Sequence, residues 1–314
     1  MADRHSSAGA LERLSVAPAD EGERLDRYVA RHLPQLSRAA VQRLIGAQAV
    51  LVNRAPARPS YRVEAGDLVQ VALPAPGAVE PEPEAIALNL LYEDAALAVL
   101  DKPAGLVVHP AHGHVRGTLL NALLARYPEL QAWPAEEGWP GLVHRLDRDT
   151  SGVLVVARTR QARDALRAQF KARQVGKVYL ALVLGRPRLE RARIEAPIGR
   201  DERDRKRMAV VTEGGREAVT EYRVREYLGD YTLLEVRPQT GRTHQIRVHL
   251  AAVGHPVAGD RVYGLARQRL GLGRAFLHAA EITFRHPLSG QEVTFSAPLP
   301  CDLQAVLEGL KRRA

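Results

Sequence analysis

The sequence predicts an α+β protein, in which a mixed, largely antiparallel sheet forms a large domain that a small α/β domain precedes. Its 314 residues exceed one average domain, and 46% of them are hydrophobic, enough for a sizeable core. A stiff segment rich in proline and glutamate, residues 72–87, separates two apolar patterns. After it, strand-like segments occur in groups without strict strand–helix alternation. This favours a mixed, largely antiparallel sheet over a doubly wound one.

The first 75 residues are predicted to form a flexible tail and a small domain. Residues 1–22 are rich in alanine, serine and charge, which is typical of a mobile terminus. Within residues 23–75, apolar side chains recur at helical spacing, and a second helix, two strands and a turn follow. The positions that define these elements are Leu25, Tyr28, Val29 and Leu33, then Ser37 as a helix N-cap before Val41, Leu44 and Ile45, and strands at 50–52 and within "VEAGDLVQV".

Residues 76–88 are predicted to form a linker, and residues 89–314 are predicted to form the large domain. Its predicted strands are 98–100, 106–108, 153–157, 178–184, 219–224, 232–236, 281–284 and 293–295. Its predicted helices are 118–125, 161–172, 244–253 and 303–311.

The charge balance favours a polyanionic partner. Forty-five Lys and Arg face 36 Asp and Glu, for a net charge of +9. Arginines recur on or beside the two N-terminal helices, where one face could follow RNA phosphates, although a merely solvated face is the alternative. These arginines are Arg24, Arg27, Arg31, Arg38 and Arg43. The single cysteine, with no apolar leader or membrane-length apolar run, indicates a cytoplasmic protein without membrane association.

Two stretches carry most of the candidate chemistry. "GLVHRLDRDTSG" places Asp147 between Arg145 and Arg148, and Asp149 directly after Arg148, shortly before the apolar run 153–157. Asp149 suits a turn or cap role, whereas Asp147 could react or could form a buried salt bridge that only fixes the loop. In "TGRTHQIR", Arg242, Thr243 and His244 lie where a strand passes into a helix, a position that favours anions. Thr243 could instead cap that helix, and the two roles are compatible.

No metal site is predicted. Three histidines in "VVHPAHGHVRG", His109, His112 and His114, lack a partnered carboxylate or cysteine set at a recognised spacing.

The motif set resembles the RluA family of RNA pseudouridine synthases. The matching stretches are "LDKPAGLVVHP", "GLVHRLDRDTSGVLVVA", "KVYLALVLG", "PQTGRTHQIRVHLAAVGHPVAGDRVYG" and "LHAAEITFRHP". Residues 23–71 are similar to a small RNA-binding domain named after a bacterial small-subunit ribosomal protein. The resemblance implies the pseudouridine synthase fold, isomerisation of uridine to pseudouridine in RNA, and no requirement for a cofactor or metal.

The resemblance also assigns roles to individual residues. It implies that Asp147 is the catalytic carboxylate, that Tyr179 is its aromatic partner and that Arg247 pairs with the carboxylate. It further implicates Arg145 in holding or replacing a flipped-out nucleotide. Sequence alone leaves open whether Asp147 attacks the ribose, adds to the base or removes a proton. The remaining predicted RNA-binding residues are Lys177, Arg242 and His244, with Arg24, Arg27, Arg38 and Arg43 in the small domain.

The domain order is similar to that of family members acting on large-subunit ribosomal RNA. The implied partner is therefore ribosomal RNA, most simply 23S RNA, or a pre-ribosomal large subunit, with no obligatory protein partner. Two alternatives stay open: a synthase for transfer RNA, and a non-catalytic ribosome-assembly factor that only binds RNA. The second would be favoured if Asp147, Tyr179 and Arg247 lay far apart.

Overall fold

The chain folds as two compact units, residues 1–80 and 81–314. A computed structural model describes residues 11–34, 36, 38–72, 81–110, 116–133, 139–201, 204, 207–264 and 270–313, without the side chains of residues 39, 40 and 43. No helix in these ranges is long and apolar enough to cross a membrane.

The N-terminal unit is a four-stranded antiparallel sheet with two helices. Its strands are β1 (Leu11–Ser15), β2 (Val50–Val52), β3 (Ala55–Pro56) and β4 (Leu68–Ala72), in the order β1-β4-β2-β3. Its helices are α1 (Leu25–His32) and α2 (Arg38–Gly46). The predicted apolar spacing is confirmed, because Leu25, Tyr28 and Val29 of α1 are fully buried together with Val41 of α2. The unit thus has a core of its own.

The prediction of a flexible tail over residues 1–22 is wrong from residue 11 onward. Strand β1 pairs antiparallel with β4 along its whole length, from Leu11 opposite Ala72 to Ser15 opposite Leu68. Alternation of half-buried and exposed residues in "LERLS" is typical of an edge strand with one wet face. Its charged positions made it resemble a tail. Residues 1–10 and Ser37 lie outside the described residues.

The large unit is built on one nine-stranded mixed sheet. Its strands are β5 (Leu90–Glu93), β6 (Leu97–Lys102), β7 (Ser151–Ala157), β8 (Gly176–Leu184), β9 (Arg191–Glu195), β12 (Val219–Leu228), β13 (Tyr231–Pro238), β14 (Leu277–Arg285) and β15 (Glu292–Ser296). Eight run in the order β5-β6-β7-β14-β8-β13-β12-β9, and β15 pairs with β14. Among the strands that the structure describes, only β7 and β14 pair in parallel, so the predicted largely antiparallel α+β class is confirmed. A separate hairpin joins β10 (Ile198–Arg200) to β11 (Met208–Val210).

Helices cover both faces of this sheet. They are α3 (Leu119–Arg126), α4 (Arg160–Lys171), α5 (Gln245–Ala252) and α6 (Cys301–Lys311). Alternate side chains of β7 bury against different helices: Leu154 belongs to the cluster that includes α3, and Val155 to the cluster that includes α4. Because β7 is buried on both faces, its sequence is a continuous apolar run. Helices α5 and α6 pack on the part of the sheet formed by β8, β12 and β13.

The predicted strand at residues 106–108 is wrong. The segment is irregular, and its carbonyl groups accept hydrogen bonds from elsewhere: Leu106 from Lys102 Nζ, Val107 from the Leu119 amide and Val108 from the Leu120 amide. The segment 106–108 is therefore bound to the start of α3 and does not pair with a strand. The prediction also missed β5, β9, β10 and β11, which are short.

Candidate active site

Asp147 lies in the loop that leads into β7. The Thr150 amide donates to the Asp147 carbonyl at 3.1 Å, which closes a turn directly before the strand. The side chain is 21% exposed, so it is accessible yet partly desolvated. Its Oδ2 atom accepts a 3.4 Å hydrogen bond from Arg247 Nη1, although the two residues are 100 positions apart in sequence.

Arg247 projects from the first turn of α5 and is anchored by a second carboxylate that the sequence prediction did not include. Its Nε and Nη2 donate to the fully buried Asp260 at 2.6 and 2.9 Å, a two-point ion pair. The Tyr263 ring lies 5.0 Å from the guanidinium carbon. Burial opposes the charge of Arg247, but Asp260 and Asp147 outweigh it and raise its pKa. The guanidinium thus stays charged, with Nη1 turned towards Asp147.

Asp260 is itself held ionised by its surroundings. Burial alone would raise its pKa, but the Arg247 hydrogen bonds and charge, with amide donors from Tyr263 and Val262, lower it. The preceding Gly259 has φ +76°, and a β-carbon there would lie 2.0 Å from the Arg274 carbonyl oxygen. Glycine therefore lets the chain carrying Asp260 approach the segment before β14.

Tyr179 reaches the same region from β8. It packs against both apolar clusters of the large unit that flank the site. Burial, together with the negative charge of Asp147, raises the pKa of its phenol well above the usual 10. At neutral pH it therefore presents a neutral aromatic ring beside the carboxylate.

His244 adopts an unusual backbone conformation at the start of α5. Its φ of 56° lies in the left-handed region, which is uncommon for residues other than glycine. Its Nδ1 lies 2.8 Å from the Tyr263 hydroxyl, and its Nε2 lies 4.0 Å from Asp147 Oδ2. Burial lowers its pKa, against the opposite influence of Asp147. The alternative that Thr243 caps this helix is wrong, because His244 occupies the N-cap and no side chain caps it.

These side chains line one cavity of about 570 Å³, a size typical of small-molecule sites. Every predicted site residue of the large unit lies on its wall: Arg145, Asp147, Lys177, Tyr179, Arg242, His244 and Arg247. Lys177 forms no ion pair within the described part of the chain, and burial lowers its pKa to about 8. Its charge is therefore available for an anionic ligand.

Two buried cations support the loop that carries Asp147, and neither was predicted. Lys102 Nζ, on β6, donates to the carbonyls of Pro103, Leu106 and Arg148. Burial lowers the pKa of Lys102 to about 8, while Asp149 and Asp147 act in the opposite direction.

Gly152 follows the loop at φ +114°, and a β-carbon there would lie 2.1 Å from a carbonyl oxygen of β14.

Arg274 is the second cation. Its Nη1 donates to the Asp149 carbonyl at 3.1 Å and to Ser151 Oγ at 3.3 Å. Its Nε and Nη2 bind Asp302 on α6 at 2.7 and 3.0 Å. Ser151 Oγ also contacts the buried His278. The C-terminal helix is therefore tied to the loop that presents Asp147.

The other charged residues near Asp147 have local partners. The Asp149 carboxylate binds the Arg148 guanidinium at 3.0 Å and no backbone amide of the described residues, whereas the turn before β7 is closed by the Asp147 carbonyl, so the capping role predicted for Asp149 is not observed. Arg145 is exposed and lies 3.3 Å from His109 Nε2, and the His109 ring stacks on Trp139. The described residues contain no cluster of three potential metal ligands, whereas His112 and His114 lie outside them.

The predicted arginines of the N-terminal unit differ in environment. Arg24 and Arg38 both bind the fully buried Asp26, whose pKa they and Gln42 lower against the effect of burial. Both guanidinium groups therefore have a structural role, because they neutralise the buried Asp26 carboxylate. Arg27 is exposed and forms no ion pair with any residue that the structure describes. The side chain of Arg43 lies outside the described residues.

The arrangement suits chemistry on a neutral, planar base. A cavity that is partly closed to water holds an accessible carboxylate, a guanidinium that fixes its orientation and an aromatic ring. The carboxylate can act as a nucleophile or as a base, and the neighbouring guanidinium donates a hydrogen bond to it. Positive side chains at the rim suit the phosphates of a polynucleotide.

Family models match both units. The model described as RNA pseudouridylate synthase matches residues 96–252, half of the chain, and the S4 domain model matches residues 23–69. The chain therefore belongs to the RNA pseudouridine synthases, isomerases that convert uridine within RNA, and it carries an S4 domain. The resemblance stated from its motifs is confirmed.

The chain is also similar to individual RNA pseudouridine synthases over most of its length. The chain is 55% identical over 299 residues to an uncharacterised RNA pseudouridine synthase of Chloroflexus aurantiacus, covering 95% of this chain and 93% of the relative. It is 43% identical to ribosomal large subunit pseudouridine synthase D of Xanthomonas campestris, covering 99% and 96%. The solved structure of human RNA pseudouridylate synthase domain containing 4 is similar over 71% of this chain and 93% of that chain, with a TM-score of 0.57 and 26% identity.

Proposed function

We propose that this enzyme isomerises uridine to pseudouridine in large-subunit (23S) ribosomal RNA, with Asp147 as the reacting carboxylate. The observation that carries the proposal is the convergence of Asp147, Tyr179 and Arg247 on one cavity, from three distant parts of the chain. A factor that only binds RNA has no need of this convergence. The substrate class is supported by the S4 domain and by relatives named as large-subunit synthases.

The chemistry needs a base that leaves the RNA stack. The N1–C1′ bond breaks, the uracil rotates within the cavity, a C5–C1′ bond forms, and the C5 proton is lost while N1 gains one. Flipping the nucleotide out gives Asp147 access to it. The Tyr179 ring stacks on the uracil and retains it while it is detached. Arg247 orients the carboxylate, whose role is attack on the ribose, addition to the base or proton removal.

The charged rim binds the RNA backbone. Arg145 lies beside the position where the nucleotide leaves the stack, and it holds or replaces that nucleotide. Lys177, Arg242 and His244 contact phosphates around the target. In the S4 domain, exposed Arg27 is the strongest candidate for a phosphate contact, and Arg24, Arg38 and Arg43 are the further candidates. The partner is ribosomal RNA or a pre-ribosomal large subunit, met in the cytoplasm.

Mapping pseudouridine in cells tests the substrate. Ribosomal and transfer RNA from cells lacking the gene, and from cells complemented with wild type or Asp147→Asn, are compared by sequencing of chemically marked pseudouridine. We expect specific 23S RNA positions to lose pseudouridine without the gene and to regain it only with wild type. Loss confined to transfer RNA would instead identify a transfer RNA synthase. Full restoration by Asp147→Asn would contradict the proposed role of the carboxylate.

A further inference from the structure

The solvent face of strands β9, β12 and β13 carries a dense arginine array outside the cavity. Five arginines and three glutamates alternate there, an excess of two positive charges. We call this surface the arginine face; it comprises Arg191, Arg193, Arg223, Arg225 and Arg237 with Glu195, Glu221 and Glu235. Cross-strand pairing explains the array, because Arg191 lies opposite Arg223 and Glu221 opposite both Arg193 and Arg237.

One buried carboxylate organises the array. Glu235 is 8% exposed and accepts hydrogen bonds from Arg223 at 2.8 Å, Arg225 at 3.0 Å and Arg237 at 3.0 Å. Arg225 is the extra residue of a β-bulge between Val224 and Glu226, which allows its side chain to reach the same carboxylate as Arg223. One negative charge therefore fixes three guanidinium groups.

These guanidinium groups remain open to solvent. Arg223, Arg225 and Arg237 are 43–57% exposed, and each has further N–H donors beyond its bond to Glu235. Arg191 is exposed and forms no ion pair with any residue in the described ranges. A shallow cavity of about 430 Å³ is lined by Arg191, Arg193, Arg223 and Arg237. Guanidinium groups held in place in advance lose less conformational freedom when they bind phosphate.

Protection of a sheet edge does not explain the array. Charged residues on an edge strand discourage pairing with other chains, and this accounts for Arg191 and Arg193 on β9. Arg223 and Arg237, however, lie on β12 and β13, which have neighbours on both sides. A cluster of arginines that exceeds its carboxylate partners is instead typical of a surface that binds polyanions.

The arginine face continues from the rim of the active-site cavity. Gln239 lines that cavity and donates to Glu221 of the arginine face at 3.4 Å. The Glu217 carboxylate binds Arg173, and the Glu217 carbonyl accepts a hydrogen bond from Arg242. Arg173 and Arg242 both line the cavity. The positive charge of Arg193 also acts on Glu217. Positive side chains therefore extend from the site onto the sheet face.

We infer that the arginine face binds the phosphate backbone of the RNA substrate beyond the segment that enters the cavity. The inference rests on the proposed function, since it assumes an RNA substrate that reaches the cavity. Charge complementarity selects a polyanion, and continuity with the cavity rim selects the flanking part of the same RNA. Contacts of this kind increase affinity without reading sequence.

Affinity and turnover on two RNAs test the inference. The long RNA is a transcript of a large-subunit RNA domain that wild type converts, and the short RNA is the stem-loop around its modified uridine. We expect Arg191→Gln/Arg193→Gln to raise Kd for the long RNA about tenfold and to lower the slope of log K against log salt by about 1–2. Kd and kcat for the short RNA should stay at wild-type values.

Matched single substitutions separate local contacts from general charge and folding effects. Arg191→Gln removes one charge from the face, Glu195→Gln adds one to it, and Arg285→Gln removes one from exposed β14, four strands away. The first should weaken binding of the long RNA, the second strengthen it, and the third leave it unchanged. An unchanged Kd and salt slope for Arg191→Gln, or an equal effect of Arg285→Gln, overturns the inference. Failure of wild type to convert any transcript of large-subunit RNA would contradict the proposed function instead.

Discussion

At the scale of single residues, the site depends on the ion pairs of Arg247. The guanidinium is bound at two points by buried Asp260 and still reaches Asp147 with its third nitrogen. A lysine has a point charge without this planar fork, so it cannot serve both carboxylates in the same geometry.

Arg247→Lys should therefore lower kcat by about 10²-fold, because the carboxylate loses its fixed orientation. RNA affinity should stay within about twofold, since the positive charge is retained. Single-turnover conversion and filter binding measure the two quantities. An equal loss of both would make Arg247 a phosphate contact.

Lys177 provides a test by pH. Burial lowers its pKa to about 8, and only the protonated amine binds phosphate strongly. Affinity should thus be full below pH 7 and should fall as pH rises through 8, by up to about tenfold at pH 9. Lys177→Gln should bind weakly at all these pH values, with this decline removed. The measurement is Kd rather than turnover, because Lys102 titrates in the same pH range. Lys102 contacts the loop that carries Asp147 and does not line the cavity, so its titration should affect turnover and not RNA affinity. A wild-type Kd that does not change with pH would contradict the prediction.

The sequence predicted Asp147, Tyr179 and Arg247 as site residues because each occurs in a specific motif, and all three line the cavity. It did not identify Asp260, although "GHPVAGDRVYG" contains it, because nothing local distinguishes a buried acid from a surface one. Lys102 and Arg274 were missed for a related reason. Both bind the loop through backbone carbonyls, and such contacts leave no trace in the sequence.

At the scale of elements, the loop between residues 141 and 151 is held from two sides. Lys102 on β6 binds the Arg148 carbonyl, and Arg274 before β14 binds the Asp149 carbonyl. Both carbonyls directly follow Asp147 in the chain, so these two cations position its carboxylate indirectly.

Arg274→Met keeps the length of the side chain and removes its hydrogen bonds to the loop and to α6. We expect kcat to fall about 10- to 100-fold, with RNA affinity unchanged. Asp302→Asn is the matched control, because Arg274 keeps its contacts with the Asp149 carbonyl and Ser151. Wild-type turnover in Arg274→Met would show that the loop needs no support from this side.

Buried elements were predicted well from the sequence, and half-exposed ones were not. The continuous apolar run of β7 and the helical spacing of α1 and α4 identified these elements. Strands β1 and β9 read "LERLS" and "RARIE", in which every second residue is exposed and no continuous apolar run occurs. Such short patterns resemble loops, because the partner strand that stabilises them is distant in sequence.

At the scale of the whole molecule, two cores indicate two units that can fold separately. The cluster around Tyr28 and Val41 consists only of residues from the N-terminal unit. The clusters of the large unit contain none of these residues.

Removing residues 1–80 should accordingly leave the remainder folded while RNA binding weakens. We expect cooperative thermal unfolding to persist in residues 81–314, with kcat on the short stem-loop retained and Kd for long RNA raised about tenfold or more. Circular dichroism and filter binding report on these properties. Unfolding of the truncated chain would contradict the division into two units.

The central claim is that the Asp147 carboxylate reacts with the flipped uridine, and single-turnover conversion by Asp147→Asn tests it most directly. Asp149→Asn, two residues away, is the matched control because its carboxylate binds only Arg148 among the described residues. We predict that Asp147→Asn binds RNA normally and forms no pseudouridine, whereas Asp149→Asn retains most of the wild-type rate. Conversion by Asp147→Asn at the wild-type rate would contradict the claim.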